Sequence, residues 1–570
     1  MVFWFFKIFL VFYGLKIWLV FWFFGFFGFL GLGLGLEARI PQLQQCSQSE
    51  GSIALALSEN KTSSSRSSSI RNFLIPDLSS CDQRKVQKHV ALFFYKTGTS
   101  FIRVEDKDLI KAFNICRPGV VIPSRKQLAG PLLDECYLGV KQQVDEHLQS
   151  CDSICIVTDG WTNVISQPIV NYMAIATKHS FFIESVSTGD QRYNAEWIAN
   201  DISCVIDGFT CDVAGAITDN TSANKSAWKI LEAMYPDKFF HGCVSHTLHL
   251  LLKDIMGSNK QWSPFDTLVE FINKCKEIIT FFKNHHALNH QLRKNQKEQN
   301  LKSLAMPATT RWGSLNRCFE TLLASEEILL SMVNGRDFIN MAPTNQKEAR
   351  RNIKVTISGA DFVTFLKKGL FILRPIDELI LKFQSDCVPV SDIYVSFLNL
   401  PLQFETEAAG LLLTEIEIEY IKELIKSRFQ FIYGDAHGVG YLLDPRYTGE
   451  KLEPKLREEL EEFIINFPLD KEIPSQENKI ATYRQLMEFF ISANGHKARN
   501  SFHYKMLVQE QKSPLEYWLI NGTNWPLLQK IAKKVFSMAV SSASSERNFS
   551  TFGFVHSKLR NQLAPETVKK

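Results

Sequence analysis

The sequence predicts an α/β fold in which a mixed sheet is interrupted by a large all-α insertion, with a helical region at each end. Short runs rich in β-branched and aromatic residues are concentrated in residues 151–258. Helical spacing of apolar residues then returns over residues 259–510, a stretch that is too long to be a loop. Helical patterns also occupy residues 71–150 and 511–570. These three observations favour one sheet-based core split by a helical domain.

Five short runs predict the strands, and two helical patterns lie among them, in the order β-β-β-α-β-α-β. The sheet therefore begins with a meander of hairpins. The predicted strands cover residues 154–157, 169–177, 181–186, 214–218 and 239–243, and the helices cover residues 194–209 and 222–234. Within the insertion, helices are predicted over residues 265–282, 310–333, 362–383, 415–431 and 456–466.

Composition describes a globular chain and says little about its partners. The 570 residues are 45% apolar and 22% charged, enough for three or four domains. A formal net charge of +4 is small for this length, so total charge makes no case for nucleic acid, although local patches can still bind phosphate. None of the twelve cysteines stands in the C-x-x-C spacing of a zinc knuckle, and we expect most of them to be reduced and buried.

The first 70 residues differ in composition from the rest. Residues 17–36 form an unbroken apolar run of 20, which is the length of a membrane span. Two interpretations stay open for residues 1–36: a membrane anchor, or a start that is not the biological one. Residues 37–70 are polar and serine-rich, which is typical of a disordered linker. The folded chain is expected to begin near Arg71 with a helical domain over residues 71–150.

Two predicted strands each end in an aspartate. Asp159 follows the apolar run 154–157, and Asp219 follows the run 214–218. Carboxylates at the ends of neighbouring parallel strands converge on one point. Phosphoryl transfer to or from nucleic acid uses divalent cations about 4 Å apart, held by such oxygens. The alternative for either aspartate taken alone is a turn former or a helix N-cap.

Five motifs, in one order along residues 85–570, resemble the hAT superfamily of transposases. Asp159-Gly160-Trp161-Thr162 is similar to the D-G-W-T opening of a transposase-like domain family of unknown function. The other four are similar to the superfamily's C-x-x-H-x-L-x-L, R-W, L-L-D-P-R and S-E-R-x-F-S segments, and they occupy residues 243–250, 311–312, 442–446 and 544–550.

The resemblance implies a ribonuclease H-like core over residues 151–258 and a C-terminal dimerisation segment over residues 511–570. It assigns the catalytic and metal-binding acids to Asp159, Asp219 and Glu546, with Mg²⁺ or Mn²⁺ as the cofactor and DNA as the substrate. Glu546 has the alternative of being a first-turn glutamate that is favoured by the helix dipole.

The resemblance also implies residues that contact DNA. Cys243 and His246 would lie beside the active site and help to position DNA, and Trp312, next to Arg311, would stack on a displaced base. The alternative for Trp312 is core packing. A zinc site is not expected at His241, Cys243, His246 and His249, because a structural site needs four ligands and no partner pair is evident nearby.

A basic stretch between residues 274 and 302 would track a DNA backbone. It contains Lys294 and Lys297, and only Glu277 and Glu298 oppose its cations. The alternative is an ordinary solvated helix face.

The predicted function is that of a nuclear, self-associating hAT-type transposase that cleaves and transfers DNA strands. Two departures from the family pattern bear on it. The place of the family's N-terminal zinc finger is taken by apolar and serine-rich residues, and the sequence stops at Lys570, where the dimerisation segment would continue. The alternatives are a catalytically inactive dimer that binds DNA or protein, and a membrane-tethered protein of unrelated function held by residues 17–36.

Overall fold

The computed structural model describes residues 78–162, 166–177, 179–189, 193–256, 263–307, 313–469 and 472–555. All of them belong to one compact unit, Asp77–Lys570. The predicted apolar segment 1–36 and linker 37–70 lie outside the described residues, and so do Arg311, Trp312 and residues 556–570. Within the described ranges, no helix is long and apolar enough to cross a membrane.

In the part of the chain that the structure describes, four α-helices precede the sheet. The first begins where the Ser79 hydroxyl accepts a hydrogen bond from the Asp82 N–H, and it ends at Gly98, whose φ of 58° suits glycine. Phe94, Leu128 and Leu132 form the centre of a small core between these helices. Their bounds are α1 (Ser80–Thr97), α2 (Lys107–Cys116), α3 (Arg125–Ala129) and α4 (Pro131–Gln149).

The predicted mixed sheet is confirmed, with five strands in the order β3-β2-β1-β4-β5. Pairing is antiparallel between β1 and β2 and between β2 and β3, and parallel between β1 and β4 and between β4 and β5. The strands are β1 (Ile154–Thr162), β2 (Pro168–Ala176), β3 (His179–Ser187), β4 (Val213–Thr218) and β5 (Phe239–Gly242).

Strand β1 is longer than the sequence predicts, because its second half pairs with β2 alone. Parallel pairing with β4 ends at Val157 opposite Ile217, whereas antiparallel pairing with β2 continues to Thr162 opposite Pro168. Asp159 therefore lies inside β1 instead of following it. The apolar run marks only the part of the strand that is buried between two neighbours.

The two faces of the sheet are covered by different elements. Ile154 and Ile156 pack under α5 (Ala195–Asp207) and α6 (Ser222–Met234). Cys155 and Val157 face the opposite way and join the main core, together with α7 (Val244–Ile255) and the insertion. Side chains alternate along a strand, so Asp159 and Trp161 lie on the same face as Cys155 and Val157.

The regular elements described in the insertion are helices, apart from one isolated β-bridge between Leu469 and Glu472. One predicted helix, 310–333, is divided at the buried Ser325, whose hydroxyl accepts a hydrogen bond from Gln296 Nε2 at 2.8 Å. The helices are α8 (Asp266–Asn284), α9 (His286–Glu298), α10 (Gly313–Ala324), α11 (Glu326–Asn334), α12 (Arg336–Asn340), α13 (Lys347–Ser358), α14 (Phe362–Phe383), α15 (Ser391–Asn399), α16 (Glu407–Leu412), α17 (Glu415–Ile432), α18 (Asp435–Leu443), α19 (Pro454–Asn466), α20 (Gln476–Ala498) and α21 (Phe502–Val508).

The L-L-D-P-R motif forms a buried ion cluster inside the insertion. The Arg446 guanidinium contacts Asp392 Oδ1 at 2.6 Å and Asp444 Oδ2 at 2.7 Å, and the Ser391 hydroxyl donates to Asp444 Oδ2 at 2.6 Å. All four residues are buried. The cluster joins the start of α15 to the end of α18, with every charge paired as burial requires.

The C-terminal segment returns to the sheet. It comprises α22 (Pro514–Asn521), α23 (Pro526–Ser537) and α24 (Ala543–Val555). The Val540 carbonyl accepts from the N–H of Val244, which begins α7, at 3.1 Å. Helix α24 then packs on β1 and β2. The segment up to Val540 thus belongs to the same core as the sheet, and α24 packs against that sheet.

Candidate active site

Two aspartates lie near each other just beyond the point where the parallel pairing of β1 with β4 ends. Val157 pairs with Ile217 in the parallel register, so Asp159 and Asp219 stand two residues beyond that pair on adjacent strands. The Asn224 amide donates to Asp219 Oδ1, and the Thr218 hydroxyl donates to the Asp219 carbonyl at 2.8 Å. These bonds fix Asp219 at the mouth of the crevice between β4 and α6.

The third acid, Glu546, is brought to the same place by the first turn of α24. Its side chain is exposed, and its backbone N–H donates to the Ser542 carbonyl at 3.2 Å. Burial is the main cause that raises the pKa of Asp159, to about 7, and the negative charges of Asp219 and Glu546 raise it further. The structure therefore brings all three predicted acids within electrostatic reach of one another.

Two donors partly offset this effect on Asp159. The Gly160 N–H donates to Asp159 Oδ1 at 2.8 Å, and the Ser542 hydroxyl also stabilises the charged carboxylate. Ser542 precedes α24, so the segment that carries Glu546 also contacts Asp159 directly. These two bonds orient the carboxylate and favour its charged form, whereas burial disfavours that form.

His246 lies beside the acids. Burial is the main cause that lowers its pKa, and Asp219 and Glu546 act in the opposite direction. The imidazole stands in the first turn of α7 and is partly exposed. Its neutral form can donate or accept a hydrogen bond at the edge of the acid cluster.

Cys243 is fully buried, so its role differs from that of His246. Its sulfur accepts from the His246 N–H at 3.4 Å and from the Ser542 N–H at 3.2 Å. Burial raises the pKa of its thiol to about 11, which keeps it neutral. The thiol links the start of α7 to the segment before α24, and in this position it has no surface at which to contact DNA.

Metal ligands are not preorganised around one point. Among the described residues, no three His, Cys, Asp or Glu side chains are grouped closely enough to hold one metal ion. Two of the four residues considered for zinc make other contacts. Cys243 caps α7, and His241 packs against His437, with ring centroids 4.6 Å apart.

The predicted DNA contacts are divided between described and undescribed residues. Lys294 and Lys297 lie on the exposed face of α9, while Leu292 and Gln296 of the same helix are buried. The basic stretch therefore faces solvent. Arg311 and Trp312 fall outside the described residues.

Sequence reasoning missed two aromatic side chains at the site. The Tyr193 ring is 43% exposed, and its pKa is raised by burial and then by the charges of Asp219 and Asp159, so its hydroxyl lies near both acids. Trp161 packs against α24. The even spacing of Asp159 and Trp161 along a strand could have indicated that they share a face, whereas no sequence signal indicates Tyr193.

Two protein-family models match the chain. A domain of unknown function, DUF659, matches residues 123–283, and the hAT family C-terminal dimerisation region matches residues 499–570. The chain is therefore similar to hAT transposase-like proteins in these two segments. The first match contains Asp159 and Asp219, and the second contains Glu546. The acid cluster is thus assembled from both matched segments.

One solved structure similar to this chain is the Drosophila P element transposase strand transfer complex. The similarity covers 71% of this chain and 98% of that chain, with 12% sequence identity and a TM-score of 0.23. At that TM-score the likeness carries no argument about fold or activity. No curated protein matches the chain.

Proposed function

We propose that the protein is a DNA transposase with a ribonuclease H-like core, which cleaves and transfers DNA strands with Mg²⁺ or Mn²⁺. The observation that carries the proposal is the convergence of Asp159, Asp219 and Glu546 from β1, the end of β4 and α24. The charges of Asp219 and Glu546 add to burial, which is the main cause that raises the pKa of Asp159 to about 7. Three carboxylates that repel one another form a site whose repulsion a divalent cation relieves.

The donor chemistry fits such a cation. Carboxylate oxygens are the ligands that Mg²⁺ and Mn²⁺ prefer, and Asp159, Asp219 and Glu546 would hold these ions. When bound, the ions would activate the attacking oxygen and stabilise the leaving oxygen of a phosphodiester.

The protein's own residues orient the acids and the DNA. Gly160 and Ser542 orient the Asp159 carboxylate, and Asn224 binds one oxygen of the Asp219 carboxylate. The neutral His246 imidazole would donate to a phosphate oxygen next to the cluster. Lys294 and Lys297 would bind the DNA backbone from α9, and Arg311 with Trp312 would hold a displaced base. We leave Cys243 out of this interface because its thiol is buried.

Self-association and location belong to the same proposal. The match to a dimerisation region over residues 499–570 supports a homodimer formed through the C-terminal segment. A DNA transposase acts on chromosomal DNA, so we propose the nucleus as its location.

The test is nicking of supercoiled plasmid DNA by the full chain in the presence of Mn²⁺. We expect wild type to nick, and we expect Asp159→Asn, Asp219→Asn and Glu546→Gln to reduce the rate by about 100-fold or more, the scale of losing one electrostatic group in an active site. Asp108→Asn is the matched control, because the Asp108 side chain is 91% exposed on α2, and it should retain the wild-type rate. Equal rates in wild type and Asp219→Asn would refute the assignment.

A second candidate is a non-catalytic dimer that binds DNA. It is favoured by one observation: no three-ligand group is preformed among the described residues. This candidate predicts that wild type binds duplex DNA and dimerises but nicks no faster than Glu546→Gln. Measuring binding and nicking on the same preparation separates the two functions.

A further inference from the structure

Helix α24 is attached to the sheet by an aromatic contact next to the acids. The indole of Trp161 stacks on Phe549, with ring centroids 5.3 Å apart and an interplanar angle of 21°. Phe552 meets the edge of the same indole at 6.1 Å and also contacts Phe182 of β3 at 6.0 Å. Offset stacks of this kind stabilise a contact by about 0.5–1.5 kcal/mol beyond area burial, and they restrict its geometry.

A polar contact lies beside this stack. Asn171 is directly opposite Asp159 in the antiparallel β1–β2 ladder and is fully buried. Its Oδ1 accepts from the Nδ2 of Asn548 on α24 at 3.3 Å and from the Ser185 hydroxyl at 3.3 Å. A buried amide is costly to leave unpaired, so this bond favours a single register of α24 on the sheet.

Helix geometry connects these contacts to Glu546. Phe549 is three residues beyond Glu546, so the two side chains are neighbours on the surface of α24. Each residue advances the helix by about 100°, and a rotation by one residue would carry Glu546 away from the sheet. The N-terminal end of α24 is held separately, since the Ser541 hydroxyl donates to the Phe383 carbonyl at 2.6 Å and the Ser542 N–H donates to Cys243. Those bonds fix where the helix starts. Arg547 also binds the Gln384 carbonyl and Asp386, and the aromatic contact restrains the rotation of the helix at the sheet.

We propose that Trp161 is a positioning residue of the acid cluster: its stack on Phe549, with the Asn171–Asn548 bond beside it, sets the rotation of α24 that holds Glu546 next to Asp159. The inference rests on the proposed function, in which Glu546 is a metal ligand. Trp161 stands two residues after Asp159 and on the same face, so one strand carries both an acid and the support for the distant acid. This explains why an aromatic residue follows the first aspartate at that spacing.

The experiment compares Trp161→Phe with Trp161→Leu in the full chain. Phenylalanine keeps a ring to stack on Phe549, whereas leucine keeps apolar volume without one. Mn²⁺ affinity is measured by calorimetry without DNA, and hydrogen exchange of residues 543–555 is measured by mass spectrometry. We expect Trp161→Leu to weaken Mn²⁺ binding by about tenfold or more, as loss of a ligand-supporting group does, and to speed exchange in α24. Trp161→Phe should stay within about twofold of wild type in both measurements.

A double-mutant cycle separates positioning from general packing. If Trp161 acts through Glu546, Trp161→Leu has no further effect on Mn²⁺ affinity when Glu546→Gln is already present. An equal loss in both backgrounds, or unchanged α24 exchange in Trp161→Leu, would overturn the inference. Equal Mn²⁺ binding by wild type and Glu546→Gln would instead overturn the proposed function, because exchange in α24 reports the docking of the helix without any metal.

Discussion

At the scale of single residues, Asp159 carries the most informative chemistry. Burial and two neighbouring carboxylates raise its pKa to about 7 from an ordinary value of 3.8. A carboxyl group with a raised pKa binds its proton more tightly in the folded state than in the unfolded state. In the absence of metal, its contribution to stability is complete below about pH 4 and is lost as the pH rises to about 7.

Asp159→Asn should therefore stabilise the metal-free protein at high pH. Relative to wild type, the gain should be small at pH 4 and should reach at most about 4 kcal/mol at pH 8, which is the difference between the two pKa values multiplied by about 1.4 kcal/mol per unit. Urea unfolding in EDTA at several pH values measures it. A gain that is the same at pH 4 and pH 8 would contradict the raised pKa.

Arg446 allows a second prediction at this scale. Arg446→Leu leaves Asp392 and Asp444 buried with less charge compensation, and we expect it to lower the free energy of unfolding by about 3–5 kcal/mol. Arg374→Leu is the matched control, since its ion pair with Glu320 is exposed and should contribute less than about 1 kcal/mol. Similar losses in both variants, measured by urea unfolding, would argue against a structural role for the buried cluster.

The sequence predicted which acids form the site, but it did not predict which residues surround them. The motifs indicated Asp159 and Glu546, the end of a predicted strand indicated Asp219, and the structure brings both of the others close to Asp159. Burial could not be predicted, because it depends on segments far apart in sequence: Cys243 is covered by the chain before α24, and Tyr193 approaches the acids from the segment before α5. Spacing along one segment carries no information about such contacts.

At the scale of elements, the helices were predicted best where one apolar face is continuous. The predicted helix 362–383 matches α14, and 415–431 differs from α17 by one residue. The prediction of one helix over residues 310–333 was wrong. The apolar pattern continues across Ser325, but the helix is interrupted there. Similarly, the second half of β1 has no apolar run because it has a strand neighbour on one side only.

Helix α9 gives a prediction about DNA binding. Each phosphate contact made by a lysine adds close to one unit to the slope of log affinity against log salt concentration. Replacing Lys294 and Lys297 together by alanine should reduce the slope for a 30-base-pair duplex, chosen as a length of about three helical turns, by about 2. Replacing Lys451 and Lys455 together by alanine is the control, because both are exposed elsewhere on the insertion. An unchanged slope in the α9 variant would show that Lys294 and Lys297 do not contact DNA phosphates.

At the scale of the whole molecule, one continuous core joins the sheet, the insertion and the C-terminal segment. Val157 of β1, Leu373 of α14 and Val535 of α23 belong to the same cluster of buried side chains. Elements that share a core lose their stability together. The extent of this core was not predictable from sequence, since helical periodicity shows that a face is buried but not what covers it.

We therefore expect α7, α14 and α24 to unfold in one transition. Hydrogen exchange measured at increasing urea concentration should give the same midpoint for peptides from all three helices. Peptides around Phe552 are the most informative, because Phe552 packs against Trp161 of β1 and Phe182 of β3. A lower midpoint for α24 alone would show that the C-terminal segment docks on a core that is already stable without it.

The route of the chain also has a consequence for biosynthesis. Glu546 reaches the two aspartates only after the long insertion has been translated, so a polypeptide still growing on the ribosome has an incomplete set of acids. If the proposed chemistry holds, a nascent or prematurely terminated product is harmless to DNA. A stop codon anywhere in the insertion would release a fragment that retains the sheet residues but has no nuclease centre.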